Sequence, residues 1–181
     1  MSPARDRGSR GAPPAESVAN DKNVAMSEKV TAFVHLEMVH PDPDAAALFM
    51  QEVFGACRVE QELSAYLESL APGMRIVHVL AGGVVFQFVK PARGNSWQEL
   101  LDERGPCVHN VTFQVDGLEQ VRKEMLARGC RQVSKFDMAM QDGGLNVSGQ
   151  QRAYVVDALA QTGLRFEMIE TMPEWIPGKA R

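Results

Sequence analysis

Residues 34–55, VHLEMVHPDPDAAALFMQEVFG, and residues 108–129, VHNVTFQVDGLEQVRKEMLARG, follow one pattern. In each stretch a strand-like run with a histidine is followed by an aspartate, an amphipathic helical run and a glycine. The aspartate stands seven residues, and the glycine twenty residues, after the histidine in both copies, His35 and His109. The chain therefore contains an internal repeat of about 74 residues, which suits a duplicated β-α-β-β-β module and is too long for a solenoid.

The strand that opens the first copy, residues 29–39, alternates with period two. Simple alternation places Phe33, His35 and Glu37 on one face. A buried carboxylate without a partner is unfavourable, so Glu37 requires a cation, a protonated form or a catalytic role. The alternative is a position at the rim, where Glu37 would pair with Arg165. The repeat provides no second carboxylate, because Val111 stands at the place of Glu37.

Each copy closes with a pair of strands. After a polar connection, residues 73–91 contain two strand-like runs around Gly82-Gly83, a dipeptide typical of a tight hairpin turn. A two-residue loop places His78 directly opposite Gln87, so the two side chains share a face. Residues 152–170 close the second copy, with Glu167 placed as Gln87 is in the first.

Four polar side chains converge if the two copies pack about a pseudo-twofold axis. Imidazole nitrogen with carboxylate and amide oxygen suits a divalent metal such as Zn, Co, Ni, Mn or Fe. Taken singly, each residue is more often structural than a ligand, but the equivalent places of the two histidines favour a site. The predicted set is His35, Gln87, His109 and Glu167.

Composition limits the classes of function. The chain has 181 residues, 45% of them hydrophobic, and a net charge of −4, which gives no reason to expect nucleic acid as a partner. No apolar run approaches the roughly 20 residues of a membrane helix, and the N-terminus lacks the apolar centre of a secretory signal. Cys57, Cys107 and Cys130 lie far apart, so we expect reduced, mostly buried thiols. We therefore expect a cytoplasmic protein without a membrane partner.

The predicted organisation has five parts. Residues 1–28 are rich in Pro, Gly, Ser and Arg and predict a disordered tail. The first module covers 29–92, a linker with one helical turn 93–106, the second module 107–172 and a C-terminal tail 173–181. In that tail, Trp175 either covers a cavity mouth or packs on a dimer partner.

The two repeated stretches, together with VVFQFVKP at 84–91 and LRFEMIET at 164–171, resemble the signature regions of the vicinal oxygen chelate superfamily. This superfamily includes glyoxalase I, methylmalonyl-CoA epimerase, extradiol dioxygenases and the fosfomycin and bleomycin resistance proteins. The resemblance covers about residues 30–172. It implies an α+β fold in which two βαβββ modules form a half-barrel around a metal held by the four residues named above.

A His, Gln, His, Glu ligand set is most similar to methylmalonyl-CoA epimerase-like members. The resemblance implies a metal-dependent isomerase, epimerase or lyase that abstracts a proton next to a chelated carbonyl, with an enolate intermediate, on an acyl-CoA or similar thioester. These epimerases carry a catalytic glutamate on the strand that holds His78 here, and this strand contains none. His78 and Glu37 could instead serve as two bases on opposite faces of one carbon, and we expect the catalytic residues to be His78, Glu37 and Glu167.

Two alternatives remain open. In a non-heme Fe(II) dioxygenase, His35, His109 and Glu167 would form the facial triad and Gln87 would line the pocket. A metal-free protein of the same fold would bind a drug or natural product, although such a binder has no need of four ligand-type residues. In each case we expect a small-molecule partner and a homodimer.

Overall fold

The computed structural model describes residues 29–133, 145–147 and 151–178. The predicted tail over residues 1–28 lies outside them. The strands are β1 (Val30–Val39), β2 (Cys57–Glu60), β3 (Arg75–Ala81), β4 (Val84–Lys90), β5 (Cys107–Val115), β6 (Arg131–Val133), β7 (Leu145–Val147), β8 (Gln151–Ala158), β9 (Leu164–Ile169) and β10 (Ile176–Pro177). The helices are α1 (Pro43–Phe54), α2 (Glu62–Leu70), α3 (Ser96–Arg104), α4 (Leu118–Ala127) and α5 (Leu159–Thr162).

One mixed sheet contains all ten strands, in the order β10-β2-β3-β4-β1-β5-β9-β8-β6 with β7 also on β8. β1 pairs in parallel with β4, and β5 pairs in parallel with β9. The two halves meet where β1 and β5 pair antiparallel. The strand order on one side of this joint mirrors the order on the other, and the predicted α+β fold of two βαβββ modules is confirmed.

Local signals set several element boundaries. The Asp42 side chain accepts a hydrogen bond from the Ala45 amide at 3.0 Å and caps α1, which ends at Gly55 with a φ of 66°. Gly82 and Gly83 have φ angles of 58° and 80°, as a two-residue hairpin turn requires. The hairpin register is therefore the predicted one. In the second half, Gly117 rather than an aspartate directly precedes α4.

Two helices differ from the sequence-based expectation. α2 occupies the stretch that we predicted to be a polar connection, and α3 fills most of the predicted linker with nine residues rather than one turn. The helices cover one end of the sheet, where Leu67 of α2 and Trp97 of α3 share a buried apolar cluster with Val39. The burial of Trp97, with 1% of its surface exposed, explains why this segment is held as a helix.

β1 contains a bulge that changes which of its residues share a face. Phe33 pairs with Phe113 and His35 pairs with Thr112, so Val34 is an extra residue in the ladder. Adjacent residues of β5 point to opposite faces, and Phe33 therefore lies on the face opposite His35. The predicted placement of Phe33 beside His35 is wrong because alternation was counted through the bulge.

The opposite face of the sheet holds most of the helix packing. α1 packs on Val77, Val79 and Phe88, and α4 packs on a cluster that includes Tyr154 and Met168. Val77 and Val79 flank His78 in β3, and Phe88 follows Gln87 in β4, so these polar side chains point to the other, concave face of the sheet. No helix in the described part of the chain is long and apolar enough to cross a membrane.

An ion-pair cluster ties α1 to β2 and β3. Asp44 accepts hydrogen bonds from Arg75 at 3.0 and 3.2 Å and from Arg58 at 2.8 Å. The hydrogen bond from Arg75, supported by the one from Arg58, lowers the pKa of Asp44 from 3.8 to about 2, although burial acts in the opposite direction.

The three cysteines form no disulfide, as predicted. Their burial is lower than expected, because Cys57 is exposed and Cys107 and Cys130 are half-buried.

Candidate functional site

The concave face of the central strands carries eight polar side chains that are almost completely buried. None exposes more than 6% of its surface. Buried polar groups are nearly always hydrogen-bonded, so their partners define the arrangement. The eight residues are His35, Glu37, His78, Gln87, His109, Asn110, Thr112 and Glu167.

Glu37 lies at the centre of this cluster and exposes 0% of its surface. Its Oε2 accepts a hydrogen bond from Gln87 Nε2 at 2.6 Å. Its Oε1 accepts one from Asn110 Nδ2 at 2.6 Å and lies 2.9 Å from His109 Nδ1. Strand pairing explains this position, since Glu37 is directly opposite Gln87 in β4 and Asn110 in β5.

The rim alternative for Glu37 is therefore wrong. Arg165 does not reach it, because the Arg165 Nε lies 3.7 Å from Asp157 Oδ2. Amides and an imidazole, rather than a surface cation, stabilise the buried carboxylate.

His78 joins the cluster through Gln87. Their side chains lie opposite each other in the β3–β4 hairpin, as predicted, with His78 Nε2 2.8 Å from Gln87 Oε1. His78 also lines a cavity of about 200 Å³ between β2, α2 and β3. His78 therefore connects the polar network with this cavity. Other residues around this cavity include Arg58, Glu60, Ser64 and Glu68.

Thr112 connects the remaining residues. Its Oγ1 lies 2.9 Å from His35 Nε2, 3.1 Å from Asn110 Oδ1 and 3.2 Å from Glu167 Oε2. Thr112 is opposite His35 in β1 and opposite Glu167 in β9, so residues of both halves meet at this hydroxyl.

Three of the buried side chains could hold a metal ion. One nitrogen or carboxylate oxygen from each of His35, Glu37 and Glu167 lies within 4.8 Å of the other two. One imidazole and two carboxylates are chemically suited to a divalent cation such as Zn²⁺, Mn²⁺ or Fe²⁺. These residues therefore fit a metal, although the group differs from the predicted set because it contains Glu37.

His109 lies to one side of this group. Its ring packs against Trp97 in a tilted arrangement, with centroids 4.0 Å apart and an interplanar angle of 39°. Pairing passes from Glu37–Asn110 to Met38–Val108, which makes His109 the extra residue of another of the three register shifts between β1 and β5.

The strand register also corrects the repeat alignment. Glu37 is opposite Gln87, and Thr112 is opposite Glu167, so Glu37 and Thr112 are equivalent in the two halves. By the same count Asn110, rather than His109, is equivalent to His35. The predicted overlay of the two histidines is one residue out of register.

Asn110 and Thr112 were missed as members of the site. Both are polar and lie two residues apart in β5, a strand whose neighbouring positions are occupied by Val111 and Phe113. This spacing was the available signal, since it places both polar groups on the face opposite the valine and phenylalanine.

Trp175 covers the cluster from the C-terminal end of the chain. Its ring centroid lies 5.0 Å from that of His78 and 6.2 Å from that of His35, with edge-to-face geometry in both cases. Trp175 therefore contacts the polar cluster within its own chain, and its packing on a dimer partner stays a prediction.

Solved structures of methylmalonyl-CoA epimerases share this fold. The enzyme from Mycobacterium tuberculosis is 19% identical with a TM-score of 0.61, over 81% of this chain and 92% of that one. A variant of the Streptomyces coelicolor epimerase in complex with 2-nitronate-propionyl-CoA is 18% identical with a TM-score of 0.57, over 77% and 96% of the two chains. A hypothetical protein from Bacillus halodurans is 13% identical with a TM-score of 0.58, over 83% and 97%.

This similarity establishes that the chain has the vicinal oxygen chelate, or glyoxalase-like, fold. No protein-family model matches the sequence, and no curated protein matches it.

Proposed function

We propose that this protein is a metal-dependent isomerase or epimerase that moves a proton at the carbon next to a carbonyl, on a small acyl compound such as an acyl-CoA thioester. The observation that carries the proposal is the buried group of His35, Glu37 and Glu167, which lies on the same concave face as His78. The similarity in fold to methylmalonyl-CoA epimerases supports the choice of reaction.

The metal ligands that we propose from the geometry are His35, Glu37 and Glu167. The set predicted from the sequence shares His35 and Glu167 and adds Gln87 and His109, both of which contact Glu37. A bound Zn, Co, Ni, Mn or Fe ion would supply a Lewis acid for negative charge that develops on substrate oxygens.

His78 is the base that we propose for proton transfer. Gln87 Nε2 donates to Glu37 Oε2, so Gln87 Oε1 is the atom that faces His78. His78 Nε2 therefore donates, and in the neutral ring the basic lone pair lies on Nδ1. The carboxylate of Glu37 thus selects the tautomer of His78 through one intervening amide.

Glu37 and Glu167 complete the proposed catalytic set as metal ligands. The sequence also suggested Glu37 as a second base on the opposite face of the substrate carbon. Metal content and turnover separate these roles, because loss of a base leaves the metal bound whereas loss of a ligand does not. We also propose that the protein acts as a homodimer in the cytoplasm.

The test combines elemental analysis of the purified protein with solvent deuterium exchange into methylmalonyl-CoA. We expect about one metal ion per chain and deuterium at the carbon next to the thioester carbonyl. His78→Gln should retain the metal and lose exchange. His40→Gln is the matched control, because the His40 ring lies outside the polar cluster, where its Nδ1 accepts a hydrogen bond from the Asp42 amide and its ring contacts Phe88.

Less than a tenth of a metal ion per chain after reconstitution would contradict the proposal. The dioxygenase alternative predicts bound iron and substrate-dependent oxygen uptake without deuterium exchange. The dioxygenase alternative requires His109 to bind the metal together with His35 and Glu167. The position of His109 against Trp97, outside the group of candidate metal ligands, is unfavourable to it.

A further inference from the structure

The segment that follows β9 crosses the open side of the concave face. β9 belongs to the second half of the sheet, whereas β10 pairs with β2 beyond the far edge of the first half. The Gly178 amide continues this pairing by donating to the Arg58 carbonyl oxygen at 2.8 Å. We call residues 170–178 the strap.

The length of the strap limits the path that it can take. Six strand spacings separate β9 from β10 in the sheet order, which is an arc of about 29 Å at about 4.8 Å per spacing. The seven residue steps from Ile169 to Ile176 reach about 25 Å at most. Since this reach is shorter than the arc, the strap crosses along a chord of a curved sheet, and the ring contacts of Trp175 place it over the polar cluster.

Trp175 is the residue by which the strap reaches the cluster. It packs against Val34, Ala153 and Ile169, and its ring lies edge to face with His78 and His35. These contacts fix the indole as a roof above the residues that we propose to bind metal and move the proton.

The indole N–H of Trp175 has a second property. Trp175 Nε1 is buried, and within the described residues it has no hydrogen-bond acceptor. An indole nitrogen can only donate, and a buried donor without an acceptor is rare in folded proteins. The indole N–H of Trp175 is such a donor and lies above a candidate active site. Its position indicates that the acceptor belongs to a ligand.

We propose that Trp175 binds the substrate by donating its indole N–H to a carbonyl or carboxylate oxygen, while the strap closes the site above it. The identity of the ligand as a small acyl compound rests on the proposed function. The role of Trp175 as a donor rests on the strap and on the buried nitrogen, so the two can be tested apart.

The decisive variant is Trp175→Phe, which keeps an aromatic ring against His78 and removes only the donor. We expect the Kd for methylmalonyl-CoA and for free methylmalonate to rise about tenfold, as for the loss of one hydrogen bond, with the melting temperature unchanged. Ile176→Ala is the matched control, because Ile176 is in the same strap and is 42% exposed. It should bind both probes as the wild type does.

Fluorescence supplies an independent measurement on a protein with an intact strap. The chain has two tryptophans, so Trp97→Phe leaves Trp175 as the sole indole. Its emission should change when either probe binds, and unchanged emission on binding would overturn the inference.

The outcomes separate the two proposals. Equal affinity of wild type and Trp175→Phe, together with deuterium exchange, overturns the role of Trp175 and leaves the proposed function standing. Methylmalonate binding that weakens tenfold in Trp175→Phe, without exchange into the thioester, upholds the role of Trp175 and overturns the proposed function. A wild-type protein that binds neither probe overturns both.

Discussion

Replacement of Glu37 by glutamine should disturb both the stability of the protein and its affinity for metal. The carboxylate accepts hydrogen bonds from Gln87 and Asn110 and lies 2.9 Å from His109 Nδ1. Glutamine has one acceptor oxygen and one amino group. On one side of residue 37 this amino group must therefore lie against the amino group of Gln87 or Asn110, and two donors then face each other. Gln87 can relieve this conflict by turning over its amide, but its amino group then faces His78 Nε2.

The magnitude follows from these contacts. Hydrogen bonds to a charged group contribute about 1.5–3 kcal/mol, and neutral ones about 0.5–1.5 kcal/mol. In Glu37→Gln two hydrogen bonds become weaker and one donor faces another donor, which destabilises the protein, whereas the removal of a buried charge stabilises it. The balance predicts that Glu37→Gln lowers the free energy of unfolding by about 2 kcal/mol. Because we propose Glu37 as a metal ligand, Glu37→Gln should also lower the affinity for metal. The loss should exceed the roughly 10–100-fold that is typical when a residue that only supports a ligand is replaced.

Urea unfolding of the metal-free protein, followed by circular dichroism, measures the first effect. Competition of Mn²⁺ or Zn²⁺ against a chelating dye measures the second. Glu103→Gln is the control, since the side chain of Glu103 is 72% exposed, and it should change the unfolding free energy by less than about 0.5 kcal/mol. A Glu37→Gln protein as stable as the control, with unaltered metal affinity, would refute the reasoning.

Three other changes test the surroundings. Because the Arg75 hydrogen bond lowers the pKa of Asp44 to about 2, its stabilisation is complete above pH 3.8 and is lost as the pH falls through about 2. Asp44→Asn should therefore lower the unfolding free energy by about 1 kcal/mol at pH 7, after allowance for solvent screening, and by almost nothing near pH 2 in a urea titration series. Trp97→Ala, in a residue that is 1% exposed, should reduce the unfolding free energy by about 3–5 kcal/mol in the same assay. His109→Gln should weaken metal affinity by about 10–100-fold in the dye assay, less than Glu37→Gln, if His109 supports Glu37 without touching the ion.

The parts of the fold that could be predicted depend on short-range signals. The glycine pair at 82–83 demands positive φ angles, and it fixed the hairpin and the neighbouring positions of His78 and Gln87. The cap at Asp42 and the stop at Gly55 likewise depend only on residues within one helix. Such features need no knowledge of distant packing.

The bulges could not be predicted in this way. Val34 and His109 each add one residue to a strand, and nothing in the alternation of apolar and polar residues marks the insertion. Counting by two therefore gave the wrong face for Phe33 and the wrong partner for His35 in the repeat. The spacing of Asn110 and Thr112 indicated that both lie on one face, but the contact of Asn110 with Glu37 exists only after β1 and β5 have paired.

α2 and α3 escaped prediction because each is nine residues long and gains its stability from tertiary packing. Trp97 and Leu101 of α3 are buried only because α2 and the end of the sheet lie against them. A sequence pattern can indicate the apolar residues of such helices but not the surface that they cover.

The antiparallel pair of β1 and β5 has a consequence for the folding of the chain. About 70 residues separate the end of β1 from the start of β5, and closing a loop of that length carries an entropic penalty of about 4 kcal/mol. Contacts within each half, such as the two hairpins, are far more local and form sooner. We therefore expect the contacts of Glu37 with Asn110 and of His35 with Thr112 to form late in folding, when the two halves dock. A chain that stalls before docking exposes two long unpaired strand edges, which are surfaces prone to aggregation.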